Sequence, residues 1–189
     1  MTDFQEENIH LDAVRECYHV ARLALFNTRL LNSLEGSPDA EVRQLIDSEI
    51  ESNGLRPPVS LLHQATFLSM AYICLVWLTE AMRKHLGQDN FDCDLEGAFR
   101  RRGVELPSRD RIEGPRELRD WPAVLRLVRN ALSHGNVEIA DGYFEFTDQN
   151  KRRKRDEPVP TKLCLTWEEL GKLSEVYIHA QSPVLWKTP

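Results

Sequence analysis

Apolar residues recur every three or four positions through most of the chain, and this spacing predicts a mainly helical protein. A long first helix is predicted from about Glu7 to Leu34. A short second helix opens at Ser37-Pro38-Asp39, which supplies an N-cap and a first-turn proline, and it ends at Asn53-Gly54. A third, central helix is predicted from about Val59 to Leu86, followed by Gly87 as its stop.

Two more helices are predicted in the middle of the chain, a short one from Leu95 to Arg102 and a longer one from Trp121 to His134. Asp120 can cap the longer helix, and Pro122 is tolerated in its first turn. Gly135 is the expected stop, because glycine readily adopts the left-handed conformation that follows a helix. The buried stripe of this helix is predicted to contain Val124, Leu125, Val128, Ala131 and Leu132.

The spacing of the apolar residues changes after His134. The segment that begins at Val137 contains Asp141-Gly142, a strong signal for a hairpin turn. Leu163 and its neighbours predict a third short strand. Thr166-Trp-Glu-Glu169 then has the capping-box pattern, which opens a last helix that runs to about Ala180.

The predicted fold is therefore mainly α, an antiparallel helical bundle with a small C-terminal β-hairpin or sheet appendage. The β part covers about 137–166 and the final helix about 167–180. The 189 residues are 41% hydrophobic, which is enough for one domain with a real core. No internal repeat or low-complexity linker divides the chain, so a single domain over 1–189 is expected.

The end of the helix before Gly135 carries the candidate chemistry: Arg129, Asn130 and His134. Arginine is always charged and binds phosphate, while histidine titrates near neutrality. At roughly 100° per residue, Asn130 and His134 share a face, but Arg129 and His134 are about 140° apart. Either the helix unwinds at His134, or a second copy completes the site across a two-fold axis, which we favour. A purely structural alternative exists, because the helix dipole favours a histidine in the last turn and Arg129 can lie along the core edge.

The motif Arg129-Asn130-x-x-x-His134 resembles the Arg-polar-x-x-x-His signature of HEPN domains, which are small helical proteins. Many of them are metal-independent endoribonucleases in toxin–antitoxin, CRISPR-associated or phage-defence systems. The resemblance implies a symmetric dimer in which two motifs meet in a cleft, with catalytic roles for these three residues. One HEPN branch, paired with nucleotidyltransferase antitoxins, carries a tyrosine two residues after the histidine. This chain has Asn136 there, so that mode of regulation is not implied.

The function expected from these residues is cleavage of single-stranded RNA by attack of a ribose 2′-hydroxyl, without a metal or other cofactor. A toxin or phage-defence effector would act in this way. A second hypothesis is a non-catalytic HEPN-like dimer that serves as a scaffold or RNA-binding subunit, since a fold does not guarantee turnover. A third is an antitoxin or immunity protein, which would form a complex with a toxin or defence partner.

Charge limits how RNA would be held. The net charge of -6 argues against non-specific coating of nucleic acid, so any RNA contact must be local. The densest basic run is Lys151, Arg152, Arg153, Lys154 and Arg155. We interpret it either as an arm that binds RNA phosphates beside the cleft or as a solvated loop tip.

Other sequence patterns argue against a metal site, a disulfide framework, a signal peptide and a membrane span. Cys17, Cys74, Cys93 and Cys164 are scattered without a Cys-x-x-Cys pair, so neither a metal site nor a disulfide framework is predicted. The N-terminus lacks the basic start and apolar run of a signal peptide. The most apolar stretch, from Phe67 to Leu78, is shorter than the roughly 20 residues needed to span a bilayer. We therefore expect a cytoplasmic protein with no membrane partner.

Overall fold

The computed structural model describes residues 3–56, 59–87, 94–140, 142–148 and 159–185. The chain is mainly helical, with a small antiparallel sheet near the C-terminus. The α-helices are α1 (Asp3–Glu35), α2 (Ala40–Ser52), α3 (Gln64–Ala71), α4 (Leu78–Leu86), α5 (Leu95–Arg101), α6 (Trp121–His134) and α7 (Trp167–Leu185). The strands are β1 (Ile112–Glu113), β2 (Val137–Ala140), β3 (Tyr143–Asp148) and β4 (Thr161–Thr166).

The helix starts follow the capping residues of the sequence. Asp39 caps α2 and accepts a hydrogen bond from the backbone N–H of Glu41 at 2.8 Å, so Pro38 precedes the cap rather than occupying the first turn. The central helix starts at Gln64 instead of Val59, because the ring of His63 accepts from Ala65 N–H at 3.3 Å and begins the helix there. Side-chain acceptors that satisfy the first backbone N–H groups thus fix where these helices begin.

The central helix is interrupted by a π-helical turn. Tyr72–Trp77 connects α3 to α4 with the wider π geometry, which helical spacing alone did not predict. Leu75 within this turn and Leu78 directly after it are buried in the core. Thr79, just beyond it, is also buried, and its hydroxyl donates to the carbonyl oxygen of Leu75 at 2.6 Å.

The sheet has four strands in the order β1-β4-β3-β2, and all neighbours are antiparallel. The hairpin and the third strand predicted from the sequence are therefore confirmed, whereas β1 was not predicted. Phe144 and Phe146 of β3 and Leu163 of β4 are fully buried and belong to the same apolar core as the helices. The description of the sheet as an appendage needs correction, because one of its faces is part of the core beside α6.

The last helix starts as its sequence predicts. Thr166 N–H donates to the Glu169 carboxylate at 2.8 Å, and Glu169 N–H donates to the Thr166 hydroxyl at 3.2 Å, which is a complete capping box. The helix continues to Leu185 rather than ending near Ala180, since Leu185 is buried in the core. α7 therefore spans the core from the sheet to α1.

By length and composition, one segment among the described residues is apolar enough to cross a membrane: Gln64–Leu86, which is the central helix. Half of its most apolar stretch is buried inside the fold. Cys74, Leu78 and Met82 on this helix are fully buried in the shared core. These three side chains are thus used for packing within the chain.

Candidate functional site

The candidate residues lie on α6, whose two ends follow from local sequence. Asp120 accepts from Ala123 N–H at 2.7 Å and caps the first turn. Gly135 ends the helix with φ +68°, a left-handed conformation that favours glycine. His134 is still helical, so the helix does not unwind before it. Of the two arrangements considered from the sequence, local unwinding at His134 is thereby excluded.

The surface of α6 opposite the core forms one polar face. Leu127, Val128 and Ala131 are fully buried, whereas Arg126, Ser133 and His134 are exposed and Arg129 and Asn130 are partly exposed. Arg126, Asn130 and His134 are each four residues apart, so at about 100° per residue each is rotated only about 40° from the one before. They form a row about 12 Å long along the helix axis. We call these three residues the α6 row. Arg129 lies on the other flank of the polar face, about 60° from Arg126.

Asn130 is held by a hydrogen bond to the sheet. Its amide nitrogen donates to Asp148 Oδ2 at 3.3 Å, and the same oxygen accepts from Arg116 at 2.9 Å. Both partners of this ion pair are well shielded, with side-chain exposures of 11% for Asp148 and 24% for Arg116. The carboxylate therefore orients the Asn130 amide, and Arg116 balances its charge.

Arg129 lines a small cavity on the other flank of α6. The cavity has a volume of about 60 Å³ and is bounded by α4, α5, α6, α7 and the π-helical turn. Arg126 lines it as well, and so do the side chains of Thr79 and Tyr177, which are buried and lie 2.9 Å apart between their hydroxyl oxygens. Within one chain, Arg129 therefore faces this cavity and not His134.

His134 is exposed at the end of the helix and makes no hydrogen bond or ion pair within the part of the chain that the structure describes. Its imidazole is accessible to a substrate or to a second protein molecule. The three motif residues therefore do not meet in one chain: Asn130 and His134 share the α6 row, while Arg129 faces the cavity. The divergence of about 140° expected from the sequence follows directly from the unbroken helix.

Three charged residues near Asn130 were not singled out from the sequence: Arg126, Arg116 and Asp148. Arg126 could have been found from helical spacing, because it lies four residues before Asn130 and completes the α6 row. Arg116 and Asp148 could not have been found in this way, since they are 32 residues apart in the sequence and meet only in the folded chain.

The basic run of Lys151, Arg152, Arg153, Lys154 and Arg155 lies outside the described residues. Among the residues that are described, no group of three or more His, Cys, Asp or Glu side chains is arranged to hold a metal ion. Cys17, Cys74 and Cys164 are free thiols. Burial raises the pKa of Cys74 to about 12, so this thiol stays protonated and unreactive near neutral pH.

No family model, curated protein or solved structure matches this chain.

Proposed function

We propose that this protein is a metal-independent endoribonuclease that cleaves single-stranded RNA by 2′-hydroxyl transesterification, at a site completed by a second copy of the chain. The observation that carries the proposal is the α6 row, which ends in an accessible His134 and also carries Asn130 and Arg126, with Arg129 on the flank of the same helix. The resemblance of Arg129, Asn130 and His134 to the HEPN signature agrees with it. A role as a toxin or phage-defence effector would follow from such an activity.

In the proposed reaction, one His134 accepts the proton of a ribose 2′-hydroxyl, whose oxygen attacks the adjacent phosphorus. The bond from phosphorus to the 5′-oxygen breaks, and His134 of the second copy or water protonates that oxygen. Histidine is the side chain that can both accept and donate a proton near neutral pH, which suits both roles. Arg129 stabilises the additional negative charge on the phosphorane through forked hydrogen bonds. Asn130, held by Asp148, orients the phosphate or the imidazole.

The need for a second copy follows from the direction of the side chains. Because α6 is regular through His134, Arg129 and His134 of one chain diverge and cannot grip one phosphate together. A two-fold axis near His134 would bring Arg129 of one chain toward His134 of the other. Ile139, on the hairpin that follows α6, is 52% exposed and offers apolar surface for this contact.

The test is cleavage of a labelled single-stranded RNA in EDTA by the parent protein and by His134→Ala. We expect the parent to leave 2′,3′-cyclic phosphate ends and to spare DNA of the same sequence, which lacks the attacking hydroxyl. Loss of a general base should lower the rate by about 10²–10⁴-fold. His19→Ala changes an exposed histidine on α1 and serves as the matched control. Cleavage of the DNA, an absolute requirement for magnesium, or equal cleavage by His134→Ala would contradict the proposal.

A second candidate is a non-catalytic HEPN-like dimer that acts as a scaffold or RNA-binding subunit. The hydrogen bond from Asn130 to Asp148 favours it, because a motif amide that is already bonded within the chain can serve the fold alone. If His134→Ala abolished the dimer in size-exclusion chromatography with light scattering, and the parent cleaved no RNA, the scaffold would be the better explanation. An intact dimer with loss of cleavage would support the nuclease.

A further inference from the structure

A groove between α1, α3 and α7 shares no lining residue with the α6 row or with the cavity beside α6. It follows α1 from Leu25 to Glu35, which is about 15 Å along the helix axis. Its volume is about 630 Å³, within the range of roughly 300–1,000 Å³ that is typical of sites for small organic ligands. The groove is therefore large enough for such a ligand.

The lining of the groove includes several apolar and aromatic side chains. Leu25 of α1 and Met70 of α3 are buried, and both line it. Phe67 and Trp167 add two partly buried rings, whose centroids are 6.3 Å apart and whose planes are tilted by 36°. Aromatic rings offer large apolar areas and form stacked or edge-to-face contacts with another ring. An aromatic ligand would fit these walls.

Gly171 keeps the α7 side of the groove open. It lies inside α7, where glycine is less favourable than alanine. Its backbone has no positive φ, and a Cβ would lie 3.6 Å from the ring of Phe67, which is an ordinary contact. Neither the backbone conformation nor the packing therefore requires glycine at this position. A side chain there would instead occupy space in the groove.

The two cationic side chains of the groove already have carboxylate partners. Arg29 pairs with Glu175 and Lys172 pairs with Glu168, each at 2.6 Å. An anionic ligand would have to compete for these pairs, and it would meet three carboxylates against two cations in the lining. The groove therefore does not favour an anion such as an RNA phosphate.

Glu35 supplies the remaining charge. Its Oε2 accepts the backbone N–H of Leu62 at 3.1 Å, and it forms no ion pair with a side chain in the described part of the chain. The residues outside that part which lie nearest to the lining in sequence are Pro57 and Pro58, and both are uncharged. A carboxylate has about four acceptor positions, so this one hydrogen bond leaves others for a further N–H donor.

We propose that this groove binds a small organic cation, in which an aromatic body carries a protonated amine directed at Glu35. The aromatic body lies against Phe67 and Trp167, and the ammonium group donates hydrogen bonds to the Glu35 carboxylate. The inference does not depend on the proposed function, because the groove contains none of the residues assigned to RNA cleavage.

The test compares two ligands that share an indole and a two-carbon linker but have opposite charges at pH 7: tryptamine and indole-3-propionate. Each is titrated against the full-length protein in a ligand-observed NMR experiment, which measures affinities in the millimolar range. Glu35→Gln removes the carboxylate, and Glu16→Gln on the first half of α1 is the matched control, since it removes another exposed carboxylate. Gly171→Leu places a side chain in the groove.

We expect tryptamine to bind at least about 5-fold more tightly than indole-3-propionate, and Glu35→Gln to weaken tryptamine by about 3–5-fold, the effect of losing an exposed ion pair. Glu16→Gln should leave both affinities within about 2-fold of the parent. Gly171→Leu should weaken both ligands by at least about 10-fold, because the leucine occupies their space. Circular dichroism establishes that the variants are folded, and the comparison of the two glutamine variants stands even if the leucine variant does not fold.

Three results would overturn the proposal. One is binding of indole-3-propionate that equals or exceeds that of tryptamine, or no binding of either ligand at millimolar concentrations. Another is an equal effect of Glu35→Gln and Glu16→Gln on tryptamine. The third is a parent protein that is a dimer in light scattering and becomes a monomer in Gly171→Leu, which would mean that a second copy of the chain covers the groove.

Discussion

The shielded ion pair between Arg116 and Asp148 allows a quantitative test of how α6 is joined to the sheet. Asp148→Asn removes the charge but keeps the size of the side chain. At the observed 2.9 Å separation, the attraction between the charges is about 1.4 kcal/mol in a dielectric like that of water and about 6 kcal/mol at an effective dielectric constant of about 20. Desolvation of the two groups offsets part of this energy.

The loss of unfolding free energy expected for this ion pair lies between the values for exposed and for fully buried ion pairs. Exposed pairs contribute about 0.2–1 kcal/mol, and breaking a buried pair costs about 3–5 kcal/mol. With exposures of 11% and 24% for the two side chains, we expect Asp148→Asn to lower the free energy of unfolding by about 2 kcal/mol. In a chain of this size, that change corresponds to a fall in Tm of about 4–8 °C.

The assay is urea unfolding at pH 7, followed by circular dichroism. Glu80→Gln is the control, because Glu80 and Arg83 are also 2.9 Å apart but are 52% and 40% exposed. We expect the control to lose no more than about 0.5 kcal/mol. Equal losses in the two variants would mean that the pair between Arg116 and Asp148 is no more protected from water than a surface pair, and the reasoning would be refuted.

Three further predictions concern stability. Burial lowers the pKa of His179 below its ordinary 6.5, so the unfolded chain binds the proton more readily. The free energy of unfolding should therefore be fully retained above about pH 6.5 and fall as the pH drops below it, and urea titrations of His179→Gln should show a smaller fall. Gly114→Ala should cost more than about 2 kcal/mol, because φ is +105° and a Cβ would lie 2.4 Å from the carbonyl oxygen of Pro160. Gly142→Ala, with φ +83° but open space around it, should cost only about 1 kcal/mol, and similar losses in the two thermal melts would contradict the steric argument. Thr166→Ala removes half of the capping box and should lower the unfolding free energy by about 1 kcal/mol in the same melts, whereas an unchanged Tm would show that the box does not stabilise α7.

Much of the helical structure was predictable because its signals are local. Asp120 and Gly135 define the ends of α6, and Thr166 with Glu169 defines the start of α7, through hydrogen bonds or backbone angles within a few residues. The hairpin was predictable for the same reason, since Gly142 adopts the positive φ that its turn requires. In each case the residues that decide the structure are neighbours in the sequence.

The remaining features depend on contacts between distant parts of the chain. β1 is only a two-residue strand that exists through its pairing with β4, so no periodicity within it can be detected. The bond that orients Asn130 joins residues 18 positions apart. The divergence of Arg129 and His134 was predictable from helical geometry, but the cavity that receives Arg129 was not, since its lining comes from α4, α5, α6 and α7.

The π-helical turn between α3 and α4 sets the direction in which α4 presents its side chains to the cavity. A π-helical turn holds about one more residue than an α-helical turn. If Tyr72–Trp77 formed a regular α-helix with the same number of residues, Leu78–Leu86 would rotate by about 100° relative to Gln64–Ala71. Thr79 would then turn away from Tyr177, and the cavity would lose its pair of hydroxyl groups. The wider turn thus determines whether a pocket forms beside α6.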